Sequence, residues 1–463
     1  MESRRKFLTH LGTVIGLMSG AGWWHRLAAQ SVRMYPLSIP ELDAGGERVR
    51  VATVGMGIMG FQDTHSVVKV PGVELVGVAD LYDGRLRRAK EVFGDRIITT
   101  RDYRELIARN DVDAVMIATA DLWHNTVAID ALKAGKAVYC EKPMVQHLDQ
   151  GAGVISAQQQ TGHPLQVGSQ RVSSVLYAQA KKLYEAGEIG ELNLVRAYID
   201  RHDALGAWQY SIPPDASPQT IDFDTFLKDT PKVPFDPVRF FRWRNYRAYG
   251  TGIPGDLFVH LLSGLHFITD AYGPERIFAT GELSYWKDGR DVPDLMVAVM
   301  DYPARSGHHP AFRVMLEVNF ADGSGGGSAT RLIGTEGVIE ITDRTCTLRR
   351  QPLPEAPGYG GWDSFGTFPE DVQQAFVAAY DRRYPPQTRI APPAEEIVFT
   401  APDGYDDHQA HVQHFIDAVR GKVSVVEDAV FGFRAAAPAL ACNLSYEQQK
   451  PVRWDAERMQ VMA

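Results

Sequence analysis

Residues 49–60 read VRVATVGMGIMG, an apolar, β-branched run that breaks into the pattern G-x-G-x-x-G. Gly55 allows the tight turn out of a strand, Gly57 lets backbone approach a pyrophosphate, and Gly60 lets the next helix pack closely. The N-terminus of that helix, where Met59 lies, presents unpaired N–H groups to the anion. In this strand–turn–helix setting the pattern predicts a dinucleotide-binding fold rather than a plain structural turn.

The segment VELVGVAD, residues 73–80, supplies the second part of this fingerprint. It ends in Asp80, 20 residues beyond Gly60, at the expected end of the second strand. A carboxylate at that point can accept hydrogen bonds from the adenosine ribose and repels a 2′-phosphate. The sequence therefore predicts NAD rather than NADP as the cofactor.

The chain has 463 residues, enough for two or three domains, with 44% hydrophobic residues, 23% charged residues and a net charge of −9. That balance gives no electrostatic reason to bind nucleic acid or an anionic membrane. Three cysteines, Cys140, Cys346 and Cys442, are too few and too scattered for a disulfide framework or a zinc site. A single disulfide between two of them is the remaining alternative.

The first 30 residues resemble a twin-arginine export signal. Ser3–Leu8 reads SRRKFL, and the weakly apolar stretch Leu11–Trp24 is shorter than the roughly 20 residues that span a bilayer. Cleavage is expected near Ala29, with a retained membrane tether and a basic disordered tail as the alternatives. The signal predicts export of the folded chain by the twin-arginine machinery to the periplasm. Residues 31–47, punctuated by proline and glycine, predict a linker or arm.

Strand and helix patterns alternate from residue 48 to about 170, which predicts a doubly wound parallel sheet with helices on both faces, a Rossmann domain. The predicted strands are 49–54, 73–79, 112–118, 137–141 and 164–168, and the predicted helices are 59–69, 83–93, 102–109, 124–134 and 148–160.

Residues 171–446 are expected to form a second α/β domain, rich in strands from 275 to 342, and residues 447–463 a tail. The irregular stretch 203–250 indicates a functional loop. A glycine-rich turn, Gly323–Gly327, predicts a hairpin connection, and a Pro-rich loop is expected over the 351–405 region. Further helices are predicted at 174–187, 407–420 and 427–446, and a further strand at 192–201.

Three more motifs resemble those of a known family. Val138–Pro143 (VYCEKP) contains E-K-P, Gly255–His260 (GDLFVH) contains D-x-x-x-H, and Ala118–His124 (ATADLWH) is similar to A-T-P-D-x-W-H, with alanine for the usual proline. With the dinucleotide fingerprint, they resemble the Gfo/Idh/MocA oxidoreductases over residues 48–445. The resemblance implies a Rossmann domain, a C-terminal domain with a large, mostly antiparallel open sheet, and homo-oligomers formed through that sheet. It also places cofactor contacts on Thr119, His124, Glu141 and Lys142.

The candidate catalytic residues are Lys142, Asp256 and His260. Lys142 follows a strand at the carboxyl end of the sheet, where its ammonium could stabilise an alkoxide. Asp256 and His260 are four residues apart and would share one helix face. With an ordinary pKa of about 6.5, His260 suits a general acid/base, and Asp256 would orient it or bind a substrate hydroxyl. A surface lysine and a core histidine are the structural alternatives.

A basic and aromatic run, Arg239–Arg247, is interpreted as part of a sugar-binding mouth rather than as a nucleic-acid patch. Arg242, Trp243 and Tyr249 are its candidate substrate contacts. Two weaker candidates, Gln170 and Arg171, follow the last Rossmann strand. The histidines of the helix at 407–420, spaced by three, fit a packing helix better than a metal site, and no metal is predicted.

These patterns predict an NAD-dependent oxidoreductase that acts on a sugar, a polyol or a derivative. Since the periplasm offers no comparable pool of soluble NAD, an exported enzyme would keep its cofactor bound through a closed redox cycle. An NAD-dependent glycoside hydrolase, working by transient oxidation, elimination, hydration and re-reduction, is the alternative. A non-catalytic sugar- or NAD-binding protein is a third reading, disfavoured by the intact set of Lys142, Asp256 and His260.

Overall fold

The computed structural model of the protein describes residues 48–462, so the predicted export signal and the predicted arm both lie outside the described residues. Six parallel strands form the first sheet: β1 Val49–Val54, β2 Val73–Ala79, β3 Ile98–Thr100, β4 Ala114–Ile117, β5 Ala137–Cys140 and β6 Leu165–Val167. The helices between them are α1 Ile58–Val67, α2 Asp83–Phe93, α3 Tyr103–Ile107, α4 Asp121–Lys133 and α5 Gly151–Thr161. The predicted doubly wound domain is therefore confirmed.

The strand order β3-β2-β1-β4-β5-β6 reverses direction between β1 and β4. A crevice opens at such a point outside the carboxyl ends of the strands, and ligands bind there in this architecture. Strand β3 was not predicted, because its three residues are too short to show a periodic pattern. The remaining predicted strands and helices of this half agree with the structure to within about three residues.

The second sheet has ten strands. They are β7 Leu192–Asp200, β8 Arg276–Glu282, β9 Leu295–Tyr302, β10 Phe312–Asn319, β11 Gly327–Gly334, β12 Gly337–Ile341, β13 Thr345–Arg350, β14 Glu395–Thr400, β15 Val452–Asp455 and β16 Gln460–Val461. Their order is β14-β13-β12-β11-β7-β10-β9-β8-β15-β16, and all neighbours are antiparallel except β7 and β10. The expected mostly antiparallel sheet is confirmed.

The helices of this half are α6 Val175–Glu185, α7 Phe223–Leu227, α8 Pro237–Phe241, α9 Val259–Thr269, α10 Glu370–Arg383, α11 Asp407–Val419 and α12 Ala429–Gln448. Helices α6 and α12 cover one face of the large sheet. No helix within residues 48–462 combines the length and the apolar character needed to cross a bilayer. All three cysteines are buried free thiols, so the single disulfide that the sequence left as an alternative does not form in this structure.

Two predictions for the second half are wrong. Residues 351–405 were expected to be loop, yet they contain α10 and β14. Most side chains of α10 are exposed, so its sequence lacks the apolar stripe that marks a core-facing helix. The turn Gly323–Gly327 does not close a hairpin: it joins β10 to β11, and β7 lies between them. Pairing with a strand more than 100 residues earlier in the chain leaves no local signal in the sequence.

Glu427 connects the two halves beneath the crevice. Its carboxylate accepts a 2.9 Å hydrogen bond from the Ser263 hydroxyl on α9, and its backbone carbonyl accepts one from the N–H of Val167 on β6. Burial raises the pKa of this carboxyl to about 8, far above its ordinary value of 4.5. The folded chain thus binds this proton more tightly than the unfolded chain does.

This linkage predicts a loss of stability with rising pH. The contribution of Glu427 to the free energy of unfolding is complete below pH 4.5 and disappears as the pH rises through about 8. Glu427→Gln keeps an acceptor for Ser263 but cannot ionise, so thermal melts at about pH 9 should show it to be more stable than the wild type. Glu457→Gln on the exposed surface is the matched control. Equal dependence of melting temperature on pH in wild type and Glu427→Gln would contradict the assignment.

Candidate active site

A cavity of about 560 Å³ opens at the carboxyl ends of the parallel strands, and Gly55, Gly57 and Met59 lie along it. Gly55 has a φ of +91°, which side chains rarely tolerate. Gly60 does not line the cavity, but a Cβ placed on it would lie 1.7 Å from the carbonyl oxygen of Gly55. A Cβ on Gly57 would meet nothing closer than the Arg85 guanidinium at 3.8 Å, so this backbone is open to a ligand. The geometry matches a pyrophosphate cradle at the start of α1.

Asp80 organises this turn from the end of β2. Its buried carboxylate accepts hydrogen bonds from the backbone N–H groups of Met56 (2.7 Å) and Tyr82 (2.9 Å) and lies 3.4 Å from the Arg85 guanidinium. Each carboxylate oxygen still has lone-pair capacity for a ribose hydroxyl. The residues of this cavity thus fit a dinucleotide, with Asp80 at its ribose end.

The other predicted cofactor residues lie on the neighbouring loops. Thr119 and Glu141 line the cavity after β4 and β5. The buried imidazole of His124 lies within hydrogen-bond distance of the carbonyl oxygens of Pro143 (2.7 Å) and Thr119 (3.1 Å), and so joins these two loops. Burial and the nearby Asp63 raise the pKa of Glu141 to about 8, and its Oε1 atom has no hydrogen-bond partner among the described residues.

Lys142 lines the cavity and contacts Asp256, whereas Asp256 and His260 themselves do not line it. The Lys142 ammonium donates to Asp256 Oδ1 (2.9 Å) and to the Asp256 carbonyl oxygen (3.0 Å). The Arg244 guanidinium donates from Nε to the same Oδ1 atom (3.1 Å). Burial opposes ionisation here, yet the two cations hold the pKa of Asp256 well below its ordinary value. The result is a buried cluster of two cations around one carboxylate.

The helix that carries Asp256 and His260 differs from the predicted one. Residues Pro254–Phe258 form a π-helical turn, and the α-helix α9 starts only at Val259. The wider turn changes the angle between side chains four apart, and π-turns of this kind are frequent at functional sites. The hydrogen bonds of the Asp256 side chain go to Lys142 and Arg244 instead of His260.

His260 lies close to several cations. Burial, together with Lys142 and Arg171, lowers the pKa of its imidazole well below 6.5. At neutral pH the ring is therefore uncharged and has a free lone pair, which is the state a proton acceptor requires.

This pKa predicts how the reaction depends on pH. If His260 is the base, kcat/KM for oxidation should stay level as the pH falls through 6.5, because the ring remains neutral there. An ordinary histidine would instead lose activity about tenfold per pH unit below its pKa. If kcat/KM fell to half its maximum at or above pH 6.5, the assignment of His260 as the base would be contradicted. Any fall of kcat/KM at lower pH should be absent in His260→Ala, because the ring that becomes protonated is missing.

The predicted substrate residues separate into three groups. Trp243 lines the main cavity and stacks on the Arg244 guanidinium at 4.2 Å from the ring centre. Gln170 and Arg171 line a second cavity of about 510 Å³. Arg242 donates to the Tyr210 carbonyl oxygen (2.8 Å), and Tyr249 is fully buried against Phe226. Neither of the two lines the main cavity or the second one.

Arg244 is the functional candidate that sequence reasoning missed. It lies inside the basic and aromatic run but belongs to no motif, and four arginines there look alike in the sequence.

The histidines of α11 each have a separate partner: His408 bonds Asp63 and Ser66, while His411 and His414 lie near carbonyl oxygens. Within residues 48–462 no group of side chains is arranged to hold a metal ion.

Comparison with known proteins agrees with this architecture. Residues 49–169 match the family model GFO_IDH_MocA, described as an oxidoreductase family with an NAD-binding Rossmann fold. The chain is 31% identical over 183 residues to the inositol 2-dehydrogenase of Salmonella typhimurium, which is 39% of this chain and 52% of that protein. The match thus spans about half the length of that relative. The chain is also 27% identical to the inositol 2-dehydrogenase of Mycolicibacterium smegmatis, over 78% of this chain and 88% of that protein.

Solved structures share the whole fold. Levoglucosan dehydrogenase in complex with NADH superposes with a TM-score of 0.61 at 18% identity, over 88% of this chain and 99% of that one. Aldose-aldose oxidoreductase from Caulobacter crescentus gives a TM-score of 0.61 at 16% identity, over 88% and 100%. The motifs, the cavity and the family match lead to one conclusion: residues 49–169 form an NAD-binding Rossmann domain that is similar to that of the Gfo/Idh/MocA oxidoreductases.

Proposed function

We propose that the protein is an NAD-dependent oxidoreductase that oxidises a carbinol of a sugar, a polyol or a derivative by hydride transfer. The observation that carries the proposal is the buried cluster of Lys142, Asp256 and Arg244, of which Lys142 and Arg244 line the dinucleotide cavity, together with the neutral imidazole of His260. Inositol 2-dehydrogenases among the relatives, and an aldose oxidoreductase and levoglucosan dehydrogenase among the similar folds, support a polyhydroxyl substrate.

The residues have complementary roles in this reaction. A dinucleotide held along Gly55, Gly57 and Asp80 would supply the acceptor for the hydride that leaves the carbinol carbon. His260 takes the hydroxyl proton, so that the C–O single bond becomes a carbonyl. The Lys142 ammonium would stabilise the negative charge that develops on the substrate oxygen. Asp256 fixes the position of the Lys142 ammonium through its hydrogen bond.

An assay of the purified chain with NAD and a panel of sugars and polyols tests the proposal. Oxidation should yield NADH and the carbonyl product in equal amounts, or, with retained cofactor, one reduced nicotinamide per site. Chromogenic glycosides without added NAD belong in the same panel. Aglycone release with no net reduction would instead establish the glycosidase alternative.

We further propose that the cofactor stays bound between turnovers. The 203–250 segment packs along the Rossmann domain beside the cavity: the N–H of Asp83 donates to Thr220 (3.0 Å), and that of Asp222 donates to Leu81 (2.9 Å). Side chains of this segment also line the cavity. Such a cover slows cofactor release. Extensive dialysis should leave NAD on the protein, and full loss of NAD from folded protein would refute retention.

Retention agrees with export, which we propose from the sequence of residues 3–8. Twin-arginine export carries folded proteins and so could deliver a chain with its cofactor in place. Fractionation of the native host should place the protein in the periplasm or on the periplasmic side of the membrane. Recovery in the cytoplasm alone would remove this proposal.

We also propose a homo-oligomer formed through the outer face of the ten-stranded sheet. One row of paired residues crosses eight strands of that sheet: Phe278, Val299, Met315, Arg196, Arg331, Glu340, Thr347 and Val398. Phe278, Val299 and Met315 are adjacent in it and each about 40% exposed, an apolar patch that a second copy would cover. Light scattering should give at least a dimer, and Val299→Glu with Met315→Glu should yield monomers.

A further inference from the structure

Arg85, in the first turn of α2, lies between the two parts of the cavity that fit a dinucleotide. Its Nη1 atom is 3.4 Å from a carboxylate oxygen of Asp80, at the ribose end. Its Nη2 atom is 3.8 Å from the position that a Cβ on Gly57 would take. That position is on the open side of the glycine turn, along which a pyrophosphate is expected to lie. The guanidinium therefore lines the cavity beside the expected phosphates.

The other arginines and lysines that line this cavity each donate a hydrogen bond of at most 3.1 Å to a side chain. They are Arg101 with Asp83, Arg104 with Asp102, Lys142 and Arg244 with Asp256, and Lys228 with Thr126.

Arg85 is engaged more weakly than these residues. Its contact with Asp80 is 3.4 Å long, and the Asp80 carboxylate already accepts from the backbone N–H groups of Met56 and Tyr82. Within residues 48–462 no other acceptor lies within hydrogen-bond distance of the Arg85 side chain. Most of the N–H donors of this guanidinium are thus left for a ligand.

The same guanidinium contacts the 203–250 segment, which covers the cavity. Its central carbon lies 5.6 Å from the centre of the Phe240 ring and 5.3 Å from the centre of the Phe241 ring. Both rings belong to α8, and both line the cavity. The Tyr82 ring, just before α2, also packs on Phe241, with ring centres 5.3 Å apart. The covering segment is thus docked on the Rossmann domain at the residue that faces the glycine turn.

We propose that Arg85 binds the pyrophosphate of NAD and, through Phe240 and Phe241, ties the covering segment to the bound cofactor. This role rests on NAD binding by the proposed oxidoreductase and gives the proposed retention of the cofactor a physical basis. Guanidinium groups bind phosphate oxygens through charge-assisted hydrogen bonds, and aromatic rings hold a guanidinium by cation–π attraction. A guanidinium that is already ordered by a phosphate loses less freedom when the rings pack on it. Cofactor binding and docking of the cover therefore stabilise each other.

Three ligands test the phosphate contact. Calorimetry on the full-length protein, after charcoal has removed bound nucleotide, gives Kd for NAD, ADP-ribose and adenosine, of which adenosine alone lacks phosphate. Arg85→Gln should weaken binding of NAD and ADP-ribose about 10- to 100-fold and leave adenosine unchanged, because one charge-assisted hydrogen bond has that magnitude. Arg85→Lys keeps the charge without the planar fork and should recover part of the affinity.

Two controls accompany this titration. Arg88→Gln makes the same change on the exposed side of α2, where Arg88 pairs with Glu91 of the same helix, and it should bind NAD like the wild type. Thermal melts without nucleotide should show that Arg85→Gln is folded. Added salt should weaken NAD binding more in the wild type than in Arg85→Gln, since the variant has lost one of the charges that salt screens.

The link to the cover is tested by the rate of NAD release, measured as exchange of bound NAD for isotopically labelled NAD. Phe241→Leu should speed release about 3- to 30-fold, the range expected for a lost cation–π contact. In the Arg85→Gln background it should add little, because its partner is already absent. Phe223→Leu, in the same segment but away from Arg85, is the matched control. Trypsin cleavage after the exposed Lys232 reports docking of the segment, and bound NAD should slow it more in the wild type than in Arg85→Gln.

The outcomes separate this inference from the proposed function. Unchanged NAD affinity in Arg85→Gln would overturn the phosphate contact, and so would an equal loss of adenosine and NAD affinity, which would place Arg85 at the adenosine end. Equal protection of Lys232 by NAD in the wild type and in Arg85→Gln would overturn the link to the cover. Absence of NAD binding by the folded wild type would instead overturn the proposed oxidoreductase.

Discussion

Replacing Lys142 with methionine is expected to lower kcat about 10²- to 10³-fold. The substitution removes the ammonium group that would stabilise the developing oxyanion and keeps an apolar side chain of similar length. It also leaves Asp256 with Arg244 as its remaining partner in the cluster, so the carboxylate stays paired. Steady-state kinetics on the true substrate give kcat, and a thermal melt with and without NAD shows whether fold and cofactor binding persist.

The exposed Lys133→Met at the end of α4 serves as the control, since it makes the same chemical change away from the cavity. It should retain wild-type kcat. If Lys142→Met also retained wild-type kcat with bound NAD, Lys142 would have no part in the chemistry.

The glycine turn supports a second prediction with a large effect. In Gly60→Ala the new Cβ would lie 1.7 Å from the Gly55 carbonyl oxygen, so α1 must move away from the turn, and both stability and NAD binding should be lost. In Gly57→Ala the new Cβ has open space on the protein side. That variant should melt like the wild type without NAD, yet bind NAD at least about 10-fold more weakly, because the methyl group occupies the path of the pyrophosphate.

Fluorescence titration with NAD and thermal melts distinguish the two variants. Gly323→Ala, where a Cβ meets nothing within 4 Å, is the control for the loss of a glycine alone. Unchanged NAD affinity in Gly57→Ala would show that the dinucleotide lies elsewhere.

Sequence reasoning located the Rossmann half well because its signals are local. The glycine turn at 55–60, the acid at Asp80 and the alternation of short apolar runs with helices each lie within about 30 residues. The strands β1 and β2 and the helix α2 have the predicted bounds. Lys142 and Asp256 are 114 residues apart in the chain, so local signals could not place them together. That prediction came from the order of the motifs that resemble the family.

The rest depends on contacts that the sequence does not encode locally. Arg244 differs from Arg242 only in its direction: it turns inward to Asp256, while Arg242 binds the backbone of Tyr210. Tyr249 was a candidate substrate contact because it lies in an aromatic-rich stretch, and aromatic rings often stack on sugars. In the structure Phe226 and its neighbours pack around Tyr249 and bury it. The π-helical turn before α9 likewise has no sequence signature and emerges from the packing around it.

Transfer of deuterium tests the central claim most directly. A substrate deuterated at the carbinol carbon is incubated with the NAD-bound protein, and the cofactor is released and analysed by mass spectrometry. We predict that the nicotinamide gains one deuterium from the substrate, at a rate that falls with Lys142→Met and with His260→Ala. A cofactor that stays oxidised and free of deuterium across the panel of sugars and polyols, in folded protein with NAD bound, would contradict the proposed oxidation.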